Sequence, residues 1–233
     1  MVRTELVKKS PLRILEQSTH GGLGTGNVGV IAAPKGVGKT ACLVHIATDQ
    51  LMQEKHVVHI SFAPDATHIV SWYEDIFDEL ARRNNLDCAR DIHDRIIRNR
   101  LVMNFRQDSL PLVRIEESVR SLCQKADFHA EVLVVDGFDF SKAKPDDLKE
   151  IRRFAGELGL EVWMSASVEP NGHNGGTVPA VIAPFLGEIS VLVTLTTADK
   201  HIRLRLLKDH DAPVSAEIHL ALDPKILLIC EDR

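Results

Sequence analysis

The stretch Ala33-Pro34-Lys35-Gly36-Val37-Gly38-Lys39-Thr40 decides the reading of this chain. It follows the apolar run Val28 to Ala32 and opens a segment of helical character. A strand, a small-residue loop and a helix in that order make an anion cradle. Backbone N–H groups turn inward toward phosphate oxygens, and the first helical turn adds its positive dipole end. Pro34, Lys35, Gly36, Val37, Gly38, Lys39, Thr40 and Ala41 are therefore expected to hold the polyphosphate of a nucleoside triphosphate. Lys39 is expected to reach the β- and γ-phosphates, and Thr40 to give its hydroxyl to magnesium. The strict pattern begins with Gly where this chain has Ala33; Ala is the smallest replacement and serves unless positive φ is required. The alternative is an ordinary glycine-rich turn before a helix.

Outward from the loop, strands and helices alternate. Upstream, residues 1–20 form an opening segment with the apolar stretch Leu12 to Leu15, and Gly21 to Gly26 is a turn-rich approach. Downstream, Thr40 to Gln53 reads as a helix with Leu43, Ile46, Ala47 and Leu51 on one face. His56 to Phe62, Leu101 to Asn104, Val132 to Val135 and Glu161 to Ala166 read as strands. Thr67 to Asn84, Leu112 to Ala126 and Pro145 to Leu158 read as the helices between them, the last stopped by Gly159. This alternation predicts an α/β fold with a mostly parallel, twisted sheet flanked by helices and ligands at the strands' carboxyl ends. The tail differs. Ile189 to Leu195, a turn over Thr196 to Lys200, and the alternating run His201 to Leu207 predict an antiparallel hairpin, with short strands over Glu217 to Leu222 and Ile226 to Ile229.

The chain has 233 residues, 44% hydrophobic and 26% charged, which suits one soluble domain over 1–233 with a C-terminal antiparallel extension over 189–230. A net charge of −5 argues against a broadly basic nucleic-acid surface and leaves room for a local one. No apolar run approaches a membrane span, and Met1 to Ser10 lacks a signal-peptide core, so a cytoplasmic protein is expected. None of the four cysteines, Cys42, Cys88, Cys123 and Cys230, sits in a C-x-x-C pair, so reduced thiols are the simpler reading. His56 and His59 read as strand residues rather than metal ligands.

Asp136 closes the run Val132 to Val135. A carboxylate at the tip of a buried strand suits a second magnesium contact through water; Gly137 keeps open the reading that it begins a turn. Together, Gly21-Gly22-Leu23, Gly26, the strand, the Ala33 to Thr40 loop, the Asp136 strand, Met164-Ser165 and the hairpin leading into Lys208 resemble the RecA/KaiC/DnaB-type ATPases. The resemblance covers roughly residues 12–230. It implies an ATP- and magnesium-binding ATPase that assembles as a ring or filament of like subunits. It also implies that Ser165 senses the γ-phosphate and that Lys208 stabilises charge in a neighbour's site, against the plainer reading of a solvated hairpin lysine.

Two departures qualify the activity. The family's water-polarising glutamate would fall on Ala63, with Asp65 a displaced carboxylate nearby. His210 stands where an arginine is common, and a neutral imidazole supplies neither a fixed charge nor a bidentate fork. Basal hydrolysis is therefore expected to be slow, with Lys39, Asp65, Ser165 and Lys208 the catalytic candidates and Thr40 and Asp136 the metal ligands. Three competitors stand beside this reading. A ParA/MinD-type ATPase is suggested by Lys35, but that family's extra lysine aligns with Pro34, and the Gly21-Gly22 approach favours the RecA-like reading. A nucleotide-dependent scaffold with little catalysis is suggested by Ala63 and His210. A DNA-handling ATPase is suggested by the glycine-bearing loop Glu169 to Pro179, which holds no Lys or Arg. The arginines from Arg82 to Arg106 alternate with Asp87, Asp91 and Asp94, the pattern of a solvated helix face.

Overall fold

A computed structural model describes residues 2–65, 67–86, 89–105, 112–125, 128–170, 177–198, 201–223, 226 and 228–232. The sheet grows outward from β1 (Val28–Ala33), whose six residues are all buried, as a strand covered on both faces requires. Parallel partners β5 (Glu161–Ser167) and β6 (Val191–Ala198) flank it. Beyond β5 lie β4 (Val132–Asp136), β2 (Val57–Ser61) and β3 (Arg100–Asn104), all parallel. Beyond β6 the direction reverses into β7 (His201–Asp209), β8 (Ala212–Leu222) and β9 (Ile229–Glu231). The nine strands run in the order β3-β2-β4-β5-β1-β6-β7-β8-β9. The fold is thus mixed α/β, a mostly parallel core with C-terminal antiparallel strands.

Helices cover both faces. Alternate residues of a strand point to opposite sides, and the two cores sort accordingly. Val57, Val132 and Val134 pack with α2 (Leu12–Ser18), α3 (Lys39–Met52), α4 (Thr67–Arg83) and α5 (Ala89–Arg98). Val58, Ile60 and Leu133 pack with Ile115 and Val119 of α6 (Leu112–Lys125) and Leu148, Ile151 and Phe154 of α7 (Pro145–Leu158). On α5, Ile92 and Ile96 face inward, while Arg90, Asp91, Asp94 and Arg95 are exposed. Asp87, Cys88, Arg106 and residues 171–176 of the expected mobile loop lie outside the described residues. Among the described residues no helix is long and apolar enough to cross a membrane.

Several boundaries differ from the sequence reading. The expected single apolar face of α3 is instead burial nearly all round, because α4 and α5 cover its outer side and His45 Nδ1 accepts a hydrogen bond from Ile229 N of β9 (3.0 Å). The segment Thr196 to Ala198, expected as turn, continues β6 by pairing with Arg203, Ile202 and His201; residues 199–200 are not described. β8 begins at Ala212 rather than Glu217, and the last strand spans Ile229–Glu231 rather than Ile226 to Ile229. The opening segment contains α1 (Val2–Lys9) and α2, and the Gly21 and Gly22 N–H groups both donate to Glu16 O, closing α2. α7 ends as expected at Gly159, in the left-handed region with φ 66°.

Candidate functional site

A cleft of about 1090 Å³ opens where the parallel strands end. Each wall is the residue that its strand delivers. β1 runs into Lys35 and Gly36, and α3 begins with Lys39 and Thr40. β2 gives way to Phe62, Ala63 and Pro64, β3 ends at Asn104, β4 at Asp136, and β5 carries Ser165 and Ser167. His68, on the first turn of α4, closes the side beyond β2.

The loop between β1 and α3 has its tightest turns at Gly36 (φ 80°) and Gly38 (φ 105°), conformations that glycine adopts without steric cost. A Cβ built on Gly36 would meet nothing within 4 Å, so the loop faces open space. Lys39 is buried, with 9% of its surface exposed. Its Nζ donates to Ala33 O and Pro34 O, both at 2.8 Å, and so ties the loop's first residues to the helix start. Burial pulls this ammonium down to about 8 from its usual 10.5; the Asp136 carboxylate opposes the fall and Lys35 adds to it. Val37 packs against the core on the α3 side, and Ala41 is buried within α3.

Thr40 and Asp136 meet although 96 residues separate them in sequence: Thr40 Oγ1 donates to Asp136 Oδ2 at 2.8 Å. Ser165 Oγ donates to Asp136 Oδ1 at 2.6 Å and itself accepts from Gly137 N at 2.8 Å. A hydroxyl and a carboxylate beside a buried ammonium are hard oxygen donors of the kind magnesium takes, with phosphate and water completing its shell. The residues present therefore fit a magnesium polyphosphate: Lys39 beside the loop for the phosphates, Thr40 and Asp136 for the ion.

The structure brings Lys39, Thr40, Asp136 and Ser165 together, and leaves two expected residues outside. Asp65 does not line the cleft. Its carboxylate accepts from Thr67 N (2.9 Å) and Thr67 Oγ1 (2.6 Å), which holds it below the usual carboxylate range and engages both its oxygens where α4 begins. Lys208 pairs with Leu192 of β6, level with Val30 in the middle of β1, and its side chain reaches back toward the amino-terminal end of β6. Its Nζ donates to Leu186 O (2.5 Å) and Ile189 O (2.6 Å) of its own chain. His210 is near that end too, with Nδ1 2.7 Å from Asp209 Oδ1 and Nε2 3.3 Å from Leu23 O.

His68, Asn104 and Ser167 are cleft residues that the sequence reading misses. Asn104 was legible as the last residue of an expected parallel strand, since all such ends share one edge. His59, read as a strand residue, is fully buried in β2 with Nδ1 3.0 Å from Tyr73 Oη. No protein-family model matches the chain, and no curated protein matches it.

Proposed function

We propose that this chain binds magnesium ATP in the cleft at the carboxyl ends of its parallel strands and hydrolyses it slowly, as a self-assembling ATPase of RecA/KaiC type. The observation that carries the reading is the meeting of Thr40 Oγ1 with Asp136 Oδ2 at 2.8 Å beside the buried Lys39 ammonium. Two residues far apart in sequence thus offer a hydroxyl and a carboxylate side by side, the donor set that a metal-bound polyphosphate uses. The parallel core with antiparallel C-terminal strands agrees with the architecture that the RecA/KaiC resemblance implies. Slow turnover is supported by Ala63 at the end of β2 and by the engagement of both Asp65 oxygens with Thr67.

The test is nucleotide affinity with and without magnesium, beside phosphate release. Magnesium-dependent ATP binding that Lys39→Ala abolishes supports the reading; an intact, folded protein that takes up no nucleoside triphosphate overturns it. Fast basal turnover, lost in Lys39→Ala, contradicts the slow-hydrolysis part. A nucleotide-regulated scaffold is favoured by the same Ala63 and is identified by tight binding with no phosphate release, even in the assembled state.

A further inference from the structure

We infer that His68 orients the attacking water in this cleft and accepts its proton, in place of the carboxylate missing at Ala63. This rests on the hydrolytic reading above. Of the described side chains lining the cleft, only Asp136 and His68 carry a lone pair basic enough to take a proton from water. Asp136 is committed: Thr40 donates to one oxygen and Ser165 to the other. Lys35 and Lys39 are cations, and the amide of Asn104 and hydroxyl of Ser167 are not general bases. Asp65, the nearby carboxylate, is off the cleft and engaged twice by Thr67. His68 makes no hydrogen bond to a described residue, and its side chain is exposed on the cleft wall.

The displaced carboxylate explains how His68 comes to stand there. Asp65 holds Thr67 through two hydrogen bonds, and the next residue of α4 is His68. That contact anchors the start of the helix that carries the imidazole. Asp65 and the buried His59 are close enough to interact electrostatically with His68, and Asp136, Lys35 and Lys39 line the same cleft.

In the step assigned here, an oxygen lone pair of water forms the new bond to the terminal phosphorus. The bond from phosphorus to the bridging oxygen breaks, and the nucleoside diphosphate leaves with that electron pair. The water proton passes to a ring nitrogen of His68 and from there to solvent. The products are nucleoside diphosphate, inorganic phosphate and one proton.

The experiment uses the full chain with His68→Ala and His68→Asn, their folding checked by thermal melts. The expected result is a fall in kcat of about 10²-fold with KM within about twofold, and partial recovery of His68→Ala by added imidazole. A binding readout stands beside it. The His68 variants should lose affinity for magnesium ADP with aluminium fluoride, which mimics the transferring phosphoryl group, while affinity for ADP alone is unchanged. Wild-type kcat and wild-type affinity for the fluoride complex in both variants would overturn the assignment, as would a wild-type protein that releases no phosphate. Either outcome leaves the phosphate-loop reading standing if ATP still binds and Lys39→Ala abolishes that binding; loss of both identifies failure of the reading itself.

Discussion

Filling the cleft with a polyphosphate should return the Lys39 ammonium toward its ordinary basicity, and that return is measurable as proton uptake. Burial lowers Lys39 from 10.5 to about 8. At about 1.4 kcal/mol per pH unit, this shift corresponds to at most about 3.5 kcal/mol of unfavourable burial, reduced by water at the cleft mouth. The sign is that of a buried cation. Below pH 8 both the folded and unfolded chains carry the proton, so the cost is fully present; it fades as pH rises from 8 toward 10.5. A bound phosphate removes the cost by pairing with the charge. If the bound value returns near 10.5, binding takes up ~0.1 proton at pH 7, ~0.5 at pH 8 and ~0.9 at pH 9. The assay is calorimetric titration of magnesium nucleotide in two buffers of different ionisation enthalpy at each pH. From pH 8 up, the nucleotide's own phosphates, with a pKa of about 6, are almost fully ionised, whereas at pH 7 they still carry about 0.1 proton, so the values at pH 8 and 9 carry the test. Lys39→Arg is the control, because a guanidinium stays charged throughout. Uptake that stays flat from pH 7 to 9, or that rises equally in Lys39→Arg, would show that this ammonium does not meet the phosphates.

Four further outcomes follow from single contacts. Asp136→Asn removes the charge opposite Thr40 and should erase most of the magnesium dependence of nucleotide affinity, about tenfold or more, read as the ratio of Kd with magnesium to Kd with chelator. Ala63→Glu places a carboxylate at the end of β2 and should raise phosphate release by about 10²-fold and make it insensitive to His68→Ala. Gly29→Ala would bring a Cβ to 2.6 Å from Trp163 Cε3 on the paired strand, so overpacking should cost about 1–3 kcal/mol in denaturant unfolding. Burial holds His45 and His59 at about 4, well below the usual 6.5, so the stability they allow is present above pH 6.5 and lost as pH falls toward 4. About 2 kcal/mol each should be gone at pH 5, and equal urea midpoints at pH 7 and pH 5 would contradict this.

The parallel half of the fold was legible because most of its strands are short apolar runs set between helices. Gly159 and the run Val132 to Val135 illustrate this, and the chain realises both. The hairpin partner of β7 was less so. Residues Ala212 to Ala216 lack the apolar alternation that marks a half-buried strand, and they join β8 only because β7 offers them a paired edge. The all-round burial of α3 was hidden for the same reason: its outer cover comes from α4, α5 and a backbone N–H of β9, none of which its own periodicity encodes. Of the residues lining the cleft, Lys39 and Thr40 were legible from local pattern, and Asp136 only in the company of the loop that holds them, since Gly137 leaves a turn as the other reading. Asn104 could have been found as the end of an expected parallel strand, but His68 could not, since it lies in no recurring motif and reaches the cleft only because α4 starts beside it.

Lys208 tests how far the family resemblance can be carried. The cleft lies at the carboxyl ends of the parallel strands, whereas the Lys208 ammonium is held just before β6 begins, at the other end. Any contact with phosphate would therefore have to be made in another subunit. Its ammonium is also already held by Leu186 O and Ile189 O, the carbonyls of the turn that leads into β6. Hydrogen bonds to a charged group are worth about 1.5–3 kcal/mol each, so releasing both would set about 3–6 kcal/mol against any gain at a neighbour's phosphate. A phosphate that replaces both bonds can offset that cost, but only in an assembled state that also remodels the 186–189 turn. Under the proposed function, slow basal hydrolysis would have two separate origins, the missing carboxylate at Ala63 and a lysine held by its own chain. Assembly would relieve only the second, so on that proposal an assembled form should still be limited by water activation.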